Sequence, residues 1–355
     1  MNIKGILFVE IYVGMAKMVA WWHQIALGFT LKGIKEKKGQ FGNEITYWLQ
    51  HGEANILVTS ALEPAAHDVV SFVDQHGNSI KRFGLEVSSI IDTLEILKEK
   101  QAIILSQKIE EEVYGNEKSY MISVKLFDDN EICFVERKNC SGPFAGFKTI
   151  EGSASNGLIK GIDHLASVVR INEAPFWNSY LCRMLELNIV QTIGEEFFAQ
   201  LLSGMKMFVL SSPNGKFNKV IVEPLPEKER KSQIDIFLKH HFGNGIQHLA
   251  FEVDDLIKTV EDLKKRGVHF TPVPEKYYED LALQHPELPV HLLQKANILC
   301  EKSDEKLLLQ VFTEPLGDRP TLFYEFIQRI NNYEGFGATN VKQLFKSLEL
   351  HLKHD

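Results

Sequence analysis

The chain has 355 residues, of which 44% are hydrophobic and 24% charged, and its formal net charge at pH 7 is −8. This composition is typical of a globular protein with room for two domains, and the acidic balance argues against a nucleic-acid partner. The four cysteines form no C-x-x-C pair, which favours a reducing, cytoplasmic location over a disulfide framework or a thiolate zinc site. The apolar stretch 6–22 contains Glu10 and Lys17, so we expect neither a signal peptide nor a membrane span.

In chain order, apolar periodicity and the placement of glycine, proline and aspartate predict alternating strands and helices. The predicted strands are Gly5–Val13, Glu44–Gln50, Ala54–Ser60, Phe83–Val87, Gly161–Val169, Ile246–Val253, Lys306–Phe312 and Thr321–Ile327, with others up to about Val222. The predicted helices are Met15–Leu27, Ile90–Lys100, Pro175–Leu187, one from Lys231 to Gly243, Asp254–Arg266, and Asn340 to about Leu352. The first helix has an apolar face formed by Met18, Val19, Trp22 and Ile25.

These elements group into four β-α-β-β-β-like units, which predicts an α+β fold of two open-barrel domains. Residues 1–140 form the predicted N-terminal, non-catalytic domain. Residues 141–160, rich in glycine and serine, form a linker. Residues 161–355 form the catalytic domain, which ends in the closing helix. A cupped sheet of this kind offers a central cavity.

One hexapeptide occurs twice with a single change, and each copy carries a histidine. GIDHLA at 161–166 contains His164, and GIQHLA at 245–250 contains His248. A single histidine in a strand is more often a core or surface residue, but two on equivalent strands of a duplicated unit can face each other as metal ligands. Aligning Gly5-Ile6 with Gly161-Ile162 places Phe8 at the position of His164, and aligning GLEV at 84–87 with AFEV at 250–253 places Arg82 at that of His248. We therefore expect no metal in the N-terminal half.

Glu325 is the third residue of interest, because it lies in a strand among apolar neighbours. A buried carboxylate needs a partner. Arg319 or Arg329 could pair with it, or it could face solvent. Combined with His164 and His248, it would complete the set of two histidines and one carboxylate that holds Fe(II) in non-haem oxygenases.

Further motifs join these strands in one pattern. They are RGVHF at 266–270, YY at 277–278, LQVFT at 309–313, DRPTLFYEFIQR at 318–329 and GFG at 335–337. Together with the GIQHLA hexapeptide, they resemble the family of 4-hydroxyphenylpyruvate dioxygenase and 4-hydroxymandelate synthase, in the vicinal oxygen chelate superfamily. The resemblance covers nearly the whole chain and is strongest from about residue 160 to 350.

The resemblance implies Fe(II) bound by His164, His248 and Glu325, with O₂ and an aromatic 2-oxo acid as reactants and oxidative decarboxylation as the reaction. It assigns catalytic hydrogen-bonding roles to four amides, which are Gln233, Gln247, Gln310 and Asn340. It also implies aromatic pocket walls at Phe312, Phe323 and Phe336. Taken singly, such glutamines are usually exposed and such phenylalanines are usually core. We further expect a cytoplasmic homo-oligomer, a dimer or tetramer, without nucleic-acid or membrane partners. Gly335 and Gly337 predict a hinge for the closing helix, which would order over the cavity when a keto acid binds.

The pocket departs from the dioxygenase pattern at four positions. Residues 220–224 read VIVEP where the dioxygenase has PINEP, so Val220 and Val222 replace a proline and an asparagine. Val341 replaces a phenylalanine, and Met207 aligns with a serine. Hydroxymandelate synthases also carry aliphatic residues in place of that asparagine and that phenylalanine. The sequence therefore favours benzylic hydroxylation to a 4-hydroxymandelate-type product, with homogentisate as the alternative and phenylpyruvate as a further candidate substrate.

Two other functions share this fold. Extradiol ring cleavage uses the same ligand set and needs an acid/base histidine, for which His269 and His291 are candidates. A metal-free binding or resistance module would not need the three ligand residues together.

Overall fold

The computed structural model describes residues 3–39, 42–151, 157–226 and 231–342. The first unit consists of β1 (Ile3–Tyr12), α1 (Ala16–Leu27), β2 (Thr30–Gly39), β3 (Gly42–His51) and β4 (Ala54–Ala61). After α2 (His67–His76), the second unit consists of β5 (Ser79–Val87), α3 (Ile90–Glu99), β6 (Glu110–Tyr114), β7 (Glu117–Leu126) and β8 (Asn130–Lys138). The short strand β9 (Lys148–Thr149) follows.

The second half repeats this order. The third unit consists of β10 (Ile159–Val168), α4 (Ala174–Leu185), β11 (Asn188–Ile193), β12 (Met205–Ser211) and β13 (Asn218–Pro224), with a 3₁₀ turn at Glu195–Phe198. After α5 (Gln233–His241), the fourth unit consists of β14 (Gly245–Val253), α6 (Leu256–Lys265), α7 (Glu275–Gln284), α8 (Val290–Ala296), β15 (Leu299–Ser303), β16 (Lys306–Phe312) and β17 (Phe323–Ile330).

The strands form two mixed sheets, one for each half. Their orders are β6-β7-β8-β5-β1-β4-β3-β2-β9 and β11-β12-β13-β10-β14-β17-β16-β15. In both sheets the first strand of one unit lies antiparallel to the first strand of the next. The predicted fold of four units in two open barrels is therefore confirmed. The domain limits at residues 140 and 160 stay a prediction, although Lys148–Thr149 of the proposed linker pairs with β2.

Several elements differ from the sequence prediction. β2 was not predicted, because its second half is charged and exposed and is held in place by pairing with β3. The helices α2, α7 and α8 were also not predicted. They have 10, 10 and 7 residues, which is too short for a clear apolar periodicity. The closing helix is described only over residues 338–342, so its predicted extent to Leu352 lies mostly outside the described residues. Among the described residues, no helix has both the length and the apolar character needed to cross a membrane.

Helix α1 buries only part of the face that we predicted. Val19 and Trp22 are partly buried against the core, whereas Met18 and Ile25 are each 55% exposed. The fully buried side includes three alanines; its residues are Ala16, Ala20, His23, Ala26 and Leu27. Alanine side chains let the helix backbone approach the sheet closely. Gly28 ends the helix in the left-handed conformation.

A lysine is fully buried beside the strand that carries the first candidate ligand. Lys219 on β13 has no exposed surface, and its ammonium group donates to Leu165 O at 3.3 Å and to Ser167 Oγ. Burial lowers the pKa of Lys219 well below its usual value, because the charged form loses its hydration. The folded protein therefore binds the Lys219 proton less tightly than the unfolded chain does.

We expect Lys219→Met to flatten the pH dependence of the free energy of unfolding between pH 7 and 9. The unfolded chain protonates this lysine below about pH 10.4, whereas its lowered pKa makes the folded chain bind that proton less tightly. The wild type should thus lose stability as the pH falls from about 10.4 towards the folded-state pKa, by up to about 1.4 kcal/mol per pH unit from this group. Urea unfolding at several pH values measures the slope, with exposed Lys216→Met as control. An equal slope in wild type and Lys219→Met would contradict a lowered pKa of Lys219.

Candidate active site

The second sheet encloses a cavity of about 240 Å³. The three predicted metal ligands and nearly all other predicted site residues line it. They are His164, His248, Glu325, Gln233, Gln247, Gln310, Met207, Val220, Val222, Phe312, Phe323, Phe336 and Val341. Gln233 is exposed at the start of α5, and Asn340 lies one layer behind the cavity wall. Lining residues that we did not predict include Met205, Ile234, Ile236, Thr271 and Thr313.

The three candidate ligands converge on one point. Glu325 Oε2 lies 3.4 Å from His164 Nε2 and 3.3 Å from His248 Nε2, and one ligand atom from each residue falls within 4.8 Å of the others. Atoms bound to one ion at about 2.1 Å lie about 3 Å apart when they are adjacent. Their donor set of two imidazoles and one carboxylate therefore fits a metal ion with open positions on the cavity side.

Strand pairing explains why distant parts of the chain meet here. His164 on β10 lies opposite Ala250 on β14, and Ala250 pairs with Glu325 on β17. His248 lies two residues earlier on β14, so its side chain is on the same face as Ala250. All three ligands therefore project from the middle of three adjacent strands.

The charges of the ligands depend on one another. Burial raises the pKa of Glu325, but His164 and His248 outweigh burial and bring it to about 2. Burial lowers the pKa of His164, but Glu325 and Asp163 outweigh burial and raise it to about 9. Burial lowers the pKa of His248. The carboxylate is therefore ionised, as a metal ligand must be.

The equivalent point in the first sheet is filled by other groups. Phe8 pairs with Gly84 as His164 pairs with Ala250, which confirms the register predicted from the duplication. A Cβ at Gly84 would lie 2.2 Å from the Phe8 ring, so this ring occupies the available space. Arg82, at the position equivalent to His248, forms an ion pair with Glu10, with Nε 2.5 Å from Oε2. The expectation that this half binds no metal stays a prediction, supported by these occupants.

A chain of hydrogen bonds runs from Glu325 to the last helix. Gln310 Nε2 donates to Glu325 Oε1 at 2.8 Å, and Asn340 Nδ2 donates to Gln310 Oε1 at 2.8 Å. Tyr277 OH in turn donates to Asn340 Oδ1 at 3.3 Å. All four side chains are buried. Gln310 therefore orients the candidate ligand carboxylate, and Asn340 orients Gln310.

We expect Gly337→Ala to lower turnover by about 10–100-fold while metal binding is retained. Gly337 has φ +74°, and an added Cβ would lie 2.0 Å from Gln310 Oε1. The alanine would displace Gln310 from both Asn340 and Glu325. Steady-state kinetics and metal content measure the effect, with Gly317→Ala as control because a Cβ there meets no atom within 4 Å. Full activity in Gly337→Ala would show that the Gln310 contacts are dispensable.

The two arginines considered as partners of Glu325 have other contacts. Arg319 donates to the backbone oxygens of Asp74 and Gln75. Arg329 pairs with Asp163, with Nε 2.7 Å from Oδ2. The sequence analysis did not predict this Asp163–Arg329 pair.

The chain matches known proteins along its whole length. The Glyoxalase/Bleomycin resistance protein/Dioxygenase superfamily matches residues 161–287. A 4-hydroxyphenylpyruvate dioxygenase of Yarrowia lipolytica is 31% identical, with 98% of this chain and 91% of the relative covered. One from Caenorhabditis elegans is 29% identical over 96% of this chain and 90% of the relative.

A solved structure shares both the fold and the length. It is a mutant of 4-hydroxymandelate synthase from Streptomyces coelicolor, with a TM-score of 0.85 and 26% identity, and the match covers 99% of this chain and 100% of that chain. With the sequence matches and the converging ligands, it confirms the resemblance read from the motifs. The chain belongs to the 4-hydroxyphenylpyruvate dioxygenase and 4-hydroxymandelate synthase family of the vicinal oxygen chelate superfamily.

Proposed function

We propose that this protein is an Fe(II)-dependent oxygenase that oxidatively decarboxylates 4-hydroxyphenylpyruvate or a close analogue with O₂. The favoured product is of the 4-hydroxymandelate type. The observation that carries the proposal is the convergence of His164, His248 and Glu325 in a largely apolar cavity. Membership of a family whose named relatives are dioxygenases supports the reaction class.

The ligand set supports iron over other metals. Two histidines and one carboxylate are typical of non-haem Fe(II) oxygenases and leave adjacent positions open. When bound, Fe(II) would supply the chemistry of O₂ activation, and a 2-oxo acid can occupy two positions through its carboxylate and keto oxygen. The substrate carries its own keto acid, so no separate 2-oxo acid is required.

The cavity residues would orient the substrate and exclude water. Gln247 lines the cavity and is 5% exposed, and its amide can donate to a carboxylate or accept from a phenol. Phe312 and Phe323 form an aromatic wall around His248, with the Phe323 ring stacked on the imidazole at 4.9 Å. Phe336 packs edge-on against His164, with the two ring centres 5.5 Å apart. These rings keep the reacting centre dry and rigid.

Val222 and Val341 in the cavity lining support benzylic hydroxylation. Val222 on β13 is 5% exposed and pairs with Met207 on the neighbouring strand β12. Val341 packs against the apolar cluster that contains both residues. Neither valine offers a hydrogen bond or an aromatic face to a substrate ring. The ring would be held mainly by shape, and its benzylic carbon would lie nearest the metal.

Homogentisate formation is the second candidate, because the two sequence relatives are named 4-hydroxyphenylpyruvate dioxygenases. Extradiol cleavage is less well supported. Neither His269 nor His291 is among the residues that line the cavity, and His291 is exposed on α8. A homo-oligomer in the cytoplasm remains our prediction.

The test is to incubate the Fe(II) protein and O₂ separately with 4-hydroxyphenylpyruvate and phenylpyruvate and to identify products by mass and retention. We expect a mandelate-type acid from at least one substrate. Consumption of neither keto acid by the iron-loaded protein would refute the proposal.

A further inference from the structure

Asp163 precedes His164 in β10, and the two side chains are in contact. His164 Nδ1 lies 2.7 Å from Asp163 Oδ1. Neighbouring residues of a regular strand point to opposite faces. The pairing of β10 with β14, however, shifts register between Ile162 and His164. This β-bulge lets the Asp163 carboxylate reach the imidazole.

Arg329 on β17 is the second partner of Asp163. Its Nε lies 2.7 Å from Asp163 Oδ2 and its Nη2 lies 2.9 Å from Asp163 Oδ1. The Asp163 side chain is 6% exposed and that of Arg329 is 16% exposed. A bidentate pair so well shielded from water is rigid and strong.

The same guanidinium also holds the chain that follows β17. Arg329 Nη1 donates to Tyr333 O at 2.9 Å and to Gly335 O at 2.7 Å. Its Cζ lies 4.8 Å from the centre of the Phe336 ring, which packs edge-on against His164. Arg329 therefore fixes the turn that leads into the last helix as well as the carboxylate beside the candidate ligand.

The other histidine has no such link. Within the described ranges, His248 Nδ1 is buried and has no hydrogen-bond partner. The ring is instead supported by stacking on Phe323. The Nδ1 side of His164 is thus connected through Asp163 and Arg329 to Tyr333 and Gly335, whereas the Nδ1 side of His248 has no such connection within the described ranges.

We propose that Asp163 and Arg329 are positioning residues that link the orientation of His164 to the closed arrangement of residues 331–342. The inference rests on the proposed function only in that His164 binds the metal. By accepting a hydrogen bond from Nδ1–H, Asp163 holds the ring so that Nε2 of His164 faces Glu325 and the candidate metal position. Arg329 holds Asp163 in place while its Nη1 binds the closing turn. Opening of that turn would therefore make the orientation of His164 less rigid. Loss of the Asp163–Arg329 pair would in turn make the turn less rigid.

The first test is anaerobic Co(II) titration of the full-length, metal-free protein, followed by visible absorption. Asp163→Asn and Arg329→Gln should each weaken Co(II) binding by about 10–100-fold and change the absorption of the bound ion. Because both act through one pair, the double variant should bind no more weakly than the more affected single variant. Arg329→Lys keeps the charge and should recover part of the affinity. The control is Arg170→Gln, which breaks an exposed Arg–Asp pair with Asp128 and should bind like the wild type.

The second test is hydrogen exchange in the same metal-free proteins. Asp163→Asn should speed amide exchange in residues 331–342 and leave β1 unchanged. Wild-type Co(II) affinity in Asp163→Asn, or weaker affinity with unchanged exchange in 331–342, would overturn the link. Wild-type Co(II) affinity in His164→Ala would instead overturn the proposed metal site, and the exchange result would still decide whether Asp163 holds the closing turn.

Discussion

Alanine at His164, His248 or Glu325 is expected to lower both turnover and iron affinity by more than about 100-fold. Substitution of a group that merely orients a metal ligand costs about 10–100-fold, and loss of the ligand itself should cost more. The backbone should remain folded, because the three side chains line the cavity. Anaerobic iron titration, steady-state kinetics and circular dichroism measure the three effects.

The matched control for these substitutions is His291→Ala on α8. This histidine is exposed and does not line the cavity, so iron binding and turnover should equal those of the wild type. A large loss of turnover in His291→Ala would revive the extradiol alternative. Iron affinity that is unchanged in all three ligand variants would remove the metal assignment.

The second large effect concerns the product. We expect Val222→Asn combined with Val341→Phe to raise the ratio of homogentisate to mandelate-type product by up to about tenfold. A satisfied amide contributes about 1 kcal/mol, and a change of about 1.4 kcal/mol between two barriers shifts a product ratio tenfold. The phenylalanine would add an aromatic wall next to Phe336, which lines the same cavity. Chromatography and mass spectrometry of products from 4-hydroxyphenylpyruvate measure the ratio.

The controls for product partition are Val222→Leu and Val341→Leu. Leucine adds volume without a hydrogen bond or an aromatic face, so the ratio should stay close to that of the wild type. If the wild type forms homogentisate alone, the interpretation of Val222 and Val341 is wrong, whereas the keto-acid chemistry would stand.

The duplicated hexapeptide carried most of the information that the sequence held about the site. It placed His164 and His248 on equivalent strands. Matching segments of the N-terminal half placed Phe8 and Arg82 at the equivalent positions, as the strand registers show. Glu325 was more difficult, because three partners could be assigned to a carboxylate in an apolar strand. Only the pairing of β14 with β17 places it beside the histidines.

The roles of Asp163 and Arg329 could not be read from periodicity. A regular strand would turn Asp163 away from His164, and the bulge that reverses this depends on the pairing partner β14. Helix α1 was misjudged for a related reason. Its alanines pack against the sheet, and apolar size alone pointed to Met18 and Ile25. Tertiary packing therefore decided both cases.

The most direct measurement is the ratio of CO₂ released to O₂ consumed by the Fe(II) protein, with carboxyl-labelled 4-hydroxyphenylpyruvate as the only organic substrate. The proposed function predicts equimolar CO₂ and O₂ without any added 2-oxo acid, and it predicts loss of both signals in Glu325→Ala. Oxygen uptake without labelled CO₂, or turnover of catechols with none of the keto acid, would contradict it.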